Sequence, residues 1–199
     1  DSVFNVRPYT HSLESLRIWD HFFIYETYFL ERLKRIGVSN PSYLPSATDT
    51  AYFSRIQKKN PRDRRFYGSD LSFIGTPDRL RAEMVRSLKG FDLRLWGVPW
   101  HDPYFRRKQK KTEITNAEVR KIYTYSKINL NCHFYVNVNG ANVRTFDIPA
   151  CGGFLLTDDR RDITARLFER DREVITYTDF RDMRRKARYF LKHEKERQA

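Results

Sequence analysis

Several things are scarce in this sequence, and each scarcity excludes something. Cysteine occurs twice, as Cys132 and Cys151, both beside apolar residues. Two such thiols suit buried, reduced positions and not the disulfide framework of a small secreted domain. No apolar run reaches membrane-spanning length and nothing reads as a signal peptide, so the expected location is cytoplasmic. G-x-G-x-x-G and the P-loop are missing, which removes two common phosphate-binding signatures. RRM, KH, zinc and helix-turn-helix patterns are missing too, so no specific nucleic-acid partner is expected. No D-x-D-like pair is placed to hold a divalent cation. Asp158-Asp159 comes nearest and reads better as a helix start, so neither a metal nor a cofactor is expected.

What is present describes a globular chain of 199 residues, enough for one large domain or two small ones. Hydrophobic residues at 40% supply a core, and the 32% charged residues are mixed in sign, which argues against disorder. Lys and Arg outnumber Asp and Glu by 38 to 25, a net charge of +13 that favours polyanionic partners. Phosphate-bearing ligands fit, and peripheral contact with an anionic membrane stays open. The first residue is Asp1, and the chain reads as a piece of something longer.

From the amino end, His11-Ser12 is a weak catalytic fragment, a lone His being more often a surface or packing residue. Asp20 to Tyr25 has strand length, Thr27 is placed to cap a helix ending at Gly37, and Pro41 to Pro45 is a short extended piece. Asp49 is expected to open a further helical turn. Residues 57–69 are polar, basic and broken by Pro61 and Gly68, and they read as a linker.

Asp70 to Gly75 reads as a strand, with Thr76 capping a helix that has Pro77 at its first position. That strand–turn–helix is the geometry of a phosphate-facing corner in an open α/β sheet. Phe91 to Trp96 is the next strand. Trp96 at its carboxyl end is a candidate for stacking on a base, though such rings more often cover a core. His101 to Lys111 reads as a basic loop, and Thr115-Asn116-Ala117-Glu118 as a capping box. Strands and helices alternate from Asp70 onward, which predicts a parallel, doubly wound sheet.

The most suggestive stretch runs from Asn139 to Asp158: a polar loop with Gly140, a short helix holding Arg144 and Asp147, a Gly152-Gly153 break and a buried strand. A loop entering a helix leaves backbone N–H groups able to meet an anion, and Arg144 adds a fork for phosphate. The same pattern also serves any αβ corner.

Phe73-Ile74-Gly75-Thr76, Tyr125 to Asn131 and Arg144 to Asp158 resemble the CgeB-type (spore maturation) glycosyltransferase-like proteins. The resemblance implies a GT-B architecture: a Rossmann-like C-terminal donor domain over 70–191, a remnant of the acceptor-side domain over 1–56 and a polar tail over 192–199. It implies a nucleotide-diphosphate sugar as donor, of UDP type, and a glycan, protein or small-molecule acceptor. Asp147 would bond the ribose hydroxyls and Asn139 would face the donor sugar. Gly140, Ala141 and Asn142 would offer N–H groups to the diphosphate, with Gly75 and Thr76 facing the phosphates from the first corner. Asn139 is neutral where that family has an acid, and Asp147 is one methylene shorter. A non-catalytic glycan- or nucleotide-binding module, or a protein-interaction module, is therefore the alternative.

Overall fold

The computed structural model describes residues 15–58 and 60–198. His11 lies outside the described residues. The chain forms two compact units. The smaller takes in the described residues up to Ser46 together with 133–142 and 160–168; the larger takes in 47–132, 143–159 and the chain from Glu169 onward.

In the smaller unit, strand β1 (Phe22–Ile24) pairs in parallel with β2 (Pro41–Tyr43), Phe23 lying opposite Ser42. The crossover is a 3-10 turn, Thr27–Phe29, leading into helix α1 (Leu30–Arg35). Phe29, Leu33 and Val38 make its small core, and Gly37 takes the left-handed conformation (φ 82°) that ends the helix. Glu26, not Thr27, provides the cap, its side chain accepting the N–H of Tyr28. The Thr27 hydroxyl is used elsewhere: it donates to Asp162 at 2.8 Å.

The larger unit opens with the single turn expected at Asp49: its side chain accepts the N–H groups of Ala51 and Tyr52, and its carbonyl accepts the N–H of Phe53 at 2.7 Å. The stretch expected as a linker then holds α2 (Pro61–Tyr67), capped by the Asn60 side chain. Pro61, read as a breaker, sits at the first turn, where its missing N–H costs nothing and its fixed φ suits the helix. There follow β3 (Leu71–Ile74), α3 (Arg79–Ser87), β4 (Leu93–Trp96), α4 (Pro103–Arg106) and β5 (Gln109–Lys111). The chain continues through α5 (Asn116–Tyr125), β6 (Ile128–Asn131), α6 (Arg144–Ala150) and β7 (Leu155–Asp158). Ile163–Leu167, in the stretch belonging to the smaller unit, is a π turn. Then β8 (Ile175–Tyr177), α7 (Phe180–Lys192) and α8 (Glu194–Gln198) close the described chain.

The six strands form one parallel sheet in the order β5-β4-β3-β6-β7-β8, a doubly wound arrangement. All four residues of β3 and all four of β6 are buried, as expected for central strands covered on both faces. Leu71, Phe73, Leu95, Ile128, Leu130 and Leu156 form the core with Met84 and Val85 of α3 and Met183 and Ala187 of α7. Each fully buried side chain of this size contributes about 1.5–3 kcal/mol relative to exposure. The basic segment expected as a loop contains edge strand β5. Its Gln-Lys-Lys sequence carries no apolar signal and presents charge where another sheet would otherwise pair. No helix among the described residues is long and apolar enough to cross a membrane.

Candidate functional site

The winding of the larger sheet changes direction at β3, whose neighbours are β4 on one side and β6 on the other. In open α/β sheets, ligands bind outside the carboxyl ends of the strands at such a point. The β3 turn, Gly75-Thr76, lies there. Its helix starts later than the sequence suggested: Asp78, not Thr76, caps α3 by accepting the N–H of Arg81 at 2.8 Å. Arg81, only 5% exposed, ties the two central strand ends together. Its Nε and Nη2 donate to the carbonyl of Cys132 (3.1 and 2.9 Å), just past β6, and its Nη1 donates to the carbonyl of Thr76 (3.1 Å). Asp78 balances its charge at 3.4 Å. Nothing in the sequence distinguishes Arg81 from the other basic residues, because its role depends on contacts 51 positions away.

Arg144 and Asp147 share helix α6, one turn apart and therefore on one face. Asp147 is buried, and burial raises its carboxyl above the usual range against the opposing pull of the Thr48 hydrogen bond and the Arg144 charge. Its Oδ1 accepts the Thr48 hydroxyl at 2.5 Å. The Arg144 charge acts on Tyr123, a buried side chain whose own titration is pushed up by that burial against the opposing pull of the guanidinium. The structure thus brings a cation and a hydroxyl-binding carboxylate together on one short helix. Thr48 escaped sequence reasoning, being 99 residues away in an unstructured stretch. Helix α6 has seven residues, and Val143 before it offers no side-chain cap.

Trp96 is not a stacking platform. It is fully buried, and Tyr67 stacks on it at 5.8 Å while Phe66 meets it edge-on at 5.9 Å. Both rings come from α2, the helix inside the expected linker, so a base has no free face to occupy.

The 139–142 loop belongs to the smaller unit, and it already holds an anion. The Glu26 carboxylate, 3% exposed, accepts the N–H groups of Val138, Asn139 and Gly140, each at 2.9 Å. The Asn139 side chain donates to Thr27 Oγ1 at 3.2 Å, and its carbonyl accepts the N–H of Asp162. His133, fully buried, accepts the N–H of Asn142 at 3.1 Å, so its Nε2 is unprotonated in this arrangement. Ala141 is buried. The expectation that Gly140 and Asn142 present open N–H groups to a diphosphate is corrected accordingly: those groups are paired within the unit. Gly140 is required for a different reason, since a Cβ there would sit 2.6 Å from the Tyr25 carbonyl oxygen.

A cleft of about 1030 Å³ in the larger unit lies at the amino ends of β6, β7 and β8, between Lys127, Phe154, Val174 and Arg197. It is at the opposite end of the strands from Gly75, and no residue picked from the sequence lines it. Cys132 and Cys151 are free and buried, and burial pushes their thiols up to about 12 and about 11. Thiols held so firmly protonated are poor nucleophiles.

Comparison with known proteins bears on the family and the fold. A family model described as glycosyl transferase-like matches residues 79–199. The spore protein CgeB of Bacillus subtilis (strain 168) is 26% identical over 208 residues, covering 94% of this chain and 62% of that protein. The structure of HepE from Anabaena in complex with UDP-glucose has a TM-score of 0.72 at 6% identity, covering 99% of this chain and 61% of that one. Sucrose-phosphate synthase from Thermosynechococcus elongatus has a TM-score of 0.65 at 10% identity, covering 94% and 53%. These structural neighbours are glycosyltransferases of the GT-B class, and at such identities the likeness is one of fold. The chain spans a little over half to about three-fifths of the length of each of these relatives. Through a model that matches more than half of its residues, the chain belongs to the glycosyl transferase-like family.

Proposed function

We propose that this chain holds a nucleotide-diphosphate sugar, of UDP type, and takes part in transferring that sugar to an acceptor hydroxyl. In this reading Asp147 accepts ribose hydroxyls, Arg144 meets the diphosphate, and the Gly75-Thr76 turn lies along the phosphates at the reversal point of the sheet. The observation that carries it is Asp147 itself: a buried carboxylate, one helical turn from an arginine, that already accepts a hydroxyl. The family supports the reaction class, and HepE, of like fold, was solved with UDP-glucose bound.

In the reaction, the acceptor oxygen forms a bond to the anomeric carbon while the bond from that carbon to the diphosphate breaks. The nucleoside diphosphate leaves with the bonding electron pair, and the acceptor's proton passes to the leaving phosphate oxygen or to water. Negative charge grows on the leaving phosphate, so a guanidinium beside it stabilises the transition state more than the bound donor. The proposal assigns this task to Arg144 and calls for no metal.

The test is thermal denaturation of the chain with UDP, GDP and TDP. A ligand that binds only the folded state adds about 2.7 kcal/mol of stability at a hundredfold excess over Kd. Stabilisation by UDP supports the reading, and no shift with any of the three at millimolar concentration removes it. A second reading, a donor-type module that binds without turning over, is favoured by the neutral Asn139, whose side chain is committed to Thr27. Release of UDP from a UDP-sugar separates the two.

A further inference from the structure

The contact between Thr48 and Asp147 has the chemistry of the contact proposed for the ligand. A ribose hydroxyl would donate to the same carboxylate, and with Thr48 in place Asp147 is only 6% exposed. Thr48 belongs to the stretch 47–56, which forms neither helix nor strand and is laid over the larger unit. Arg120 of α5 donates to the Ser54 carbonyl at 2.6 Å and to its hydroxyl at 3.0 Å. The Arg55 side chain lies across Gly152, where a Cβ would meet its Cδ at 3.0 Å. Asp49 folds the middle into a turn through its own side chain. Ala47, Asp49, Thr50, Ala51, Tyr52 and Arg55 are exposed. The stretch is therefore anchored at its far end and holds Asp147 through one hydroxyl at its near end.

We infer that Thr48 is an internal stand-in for a ribose hydroxyl, and that the 47–56 strap must release Asp147 before a nucleotide can engage it. This rests on the proposed nucleotide site. The physical reason is shared space: Thr48 holds Oδ1 and the carboxylate is nearly closed to solvent with the strap in place, so a ribose hydroxyl that takes that position must displace the internal bond, and affinity for nucleotide is reduced by its stability. Removing the hydroxyl takes away the hydrogen bond to Asp147 Oδ1, which destabilises the empty protein and favours an incoming donor at that oxygen.

The experiment compares Thr48→Val with the unaltered chain by calorimetric titration. UDP and 2′,3′-dideoxyuridine diphosphate are the two ligands. Expected are a lower melting temperature without ligand and a UDP affinity raised about three- to tenfold, the worth of one net hydrogen bond. The dideoxy nucleotide, which has no ribose hydroxyl to offer, should show no gain. Thr48→Ser, which keeps the hydroxyl, should bind UDP as the unaltered chain does. Hydrogen exchange gives a measurement that needs no variant: UDP should speed exchange of the amides in 49–56. Equal or weaker UDP binding by Thr48→Val, or an equal gain with the dideoxy nucleotide, overturns the inference while leaving the nucleotide site standing. If neither protein binds UDP, the proposed function fails and this inference fails with it.

Discussion

The Glu26 carboxylate accepts the N–H of Gly140 at 2.9 Å from 114 residues earlier in the chain. With the amides of Val138 and Asn139 it fills a nest of backbone donors, the kind of concavity that elsewhere receives phosphate. The smaller unit has thus answered its own need for an anion. The loop's shape depends on that charge, since a buried N–H without an acceptor costs roughly 1–3 kcal/mol.

Glu26→Ala should therefore cost about 3 kcal/mol or more in denaturant unfolding, four amides being orphaned at once, that of Tyr28 and the three of the loop. Glu26→Gln should cost less, because one oxygen still accepts. Formate at tens of millimolar should restore part of the loss in Glu26→Ala and do nothing to the unaltered protein. A small variant penalty, or no formate effect, would show that the nest does not need its anion.

Asp147 sets stability against binding. Burial raises its carboxyl above the ordinary value of 3.8, so the folded state holds its proton more tightly than the unfolded state does. Its ionisation therefore costs stability as pH rises through and above that value. Asp147→Asn, which can still accept from Thr48, should melt higher than the unaltered chain at pH 7. The gap should close below about pH 4. The same variant should bind UDP more weakly. A lower melting temperature at neutral pH would mean that the ionised carboxylate is a net stabiliser.

Glu118 carries the opposite sign. Lys111 and the Thr115 backbone hold its carboxyl down at about 2, against 4.5 for the free group. Its contribution is fully present above about 4.5 and is lost as pH falls toward 2. Glu118→Gln should lower the melting temperature at pH 7, with the difference shrinking across that acid window. A constant difference down to pH 2 would assign the effect to helix propensity and not to charge.

Trp96→Phe should loosen the packing of β4 against α2 and lower stability by about 1–3 kcal/mol. UDP affinity should be unchanged. Weaker UDP binding at equal folding would restore Trp96 to the site.

Local chemistry was legible in the sequence wherever a few adjacent residues decide it. The Thr115–Glu118 capping box is present as read, with the Glu118 N–H donating to Thr115 Oγ1 at 3.3 Å. The apolar runs Leu71–Ile74 and Leu155–Leu156 became the buried strands expected of them. Pro61 misled because a proline breaks a helix interior and starts a helix equally well, and only Asn60 before it tells which. Strand β5 was missed because an edge strand has no apolar alternation to show. At the candidate site, Arg144 and Asp147 could be read as a pair from their spacing. Their surroundings could not: Thr48 lies 99 residues from Asp147, as Glu26 does more than 110 from the loop it fills. Partners at such distances leave no periodicity in the chain.

The most direct test of the account is a calorimetric titration of the unaltered chain and of Asp147→Ala with UDP under one set of conditions. The account predicts measurable binding by the former and a loss of about 1–3 kcal/mol, roughly five- to 150-fold in Kd, for the latter, with the fold intact by circular dichroism. Equal affinity in the two proteins, or no heat of binding in either, would contradict it.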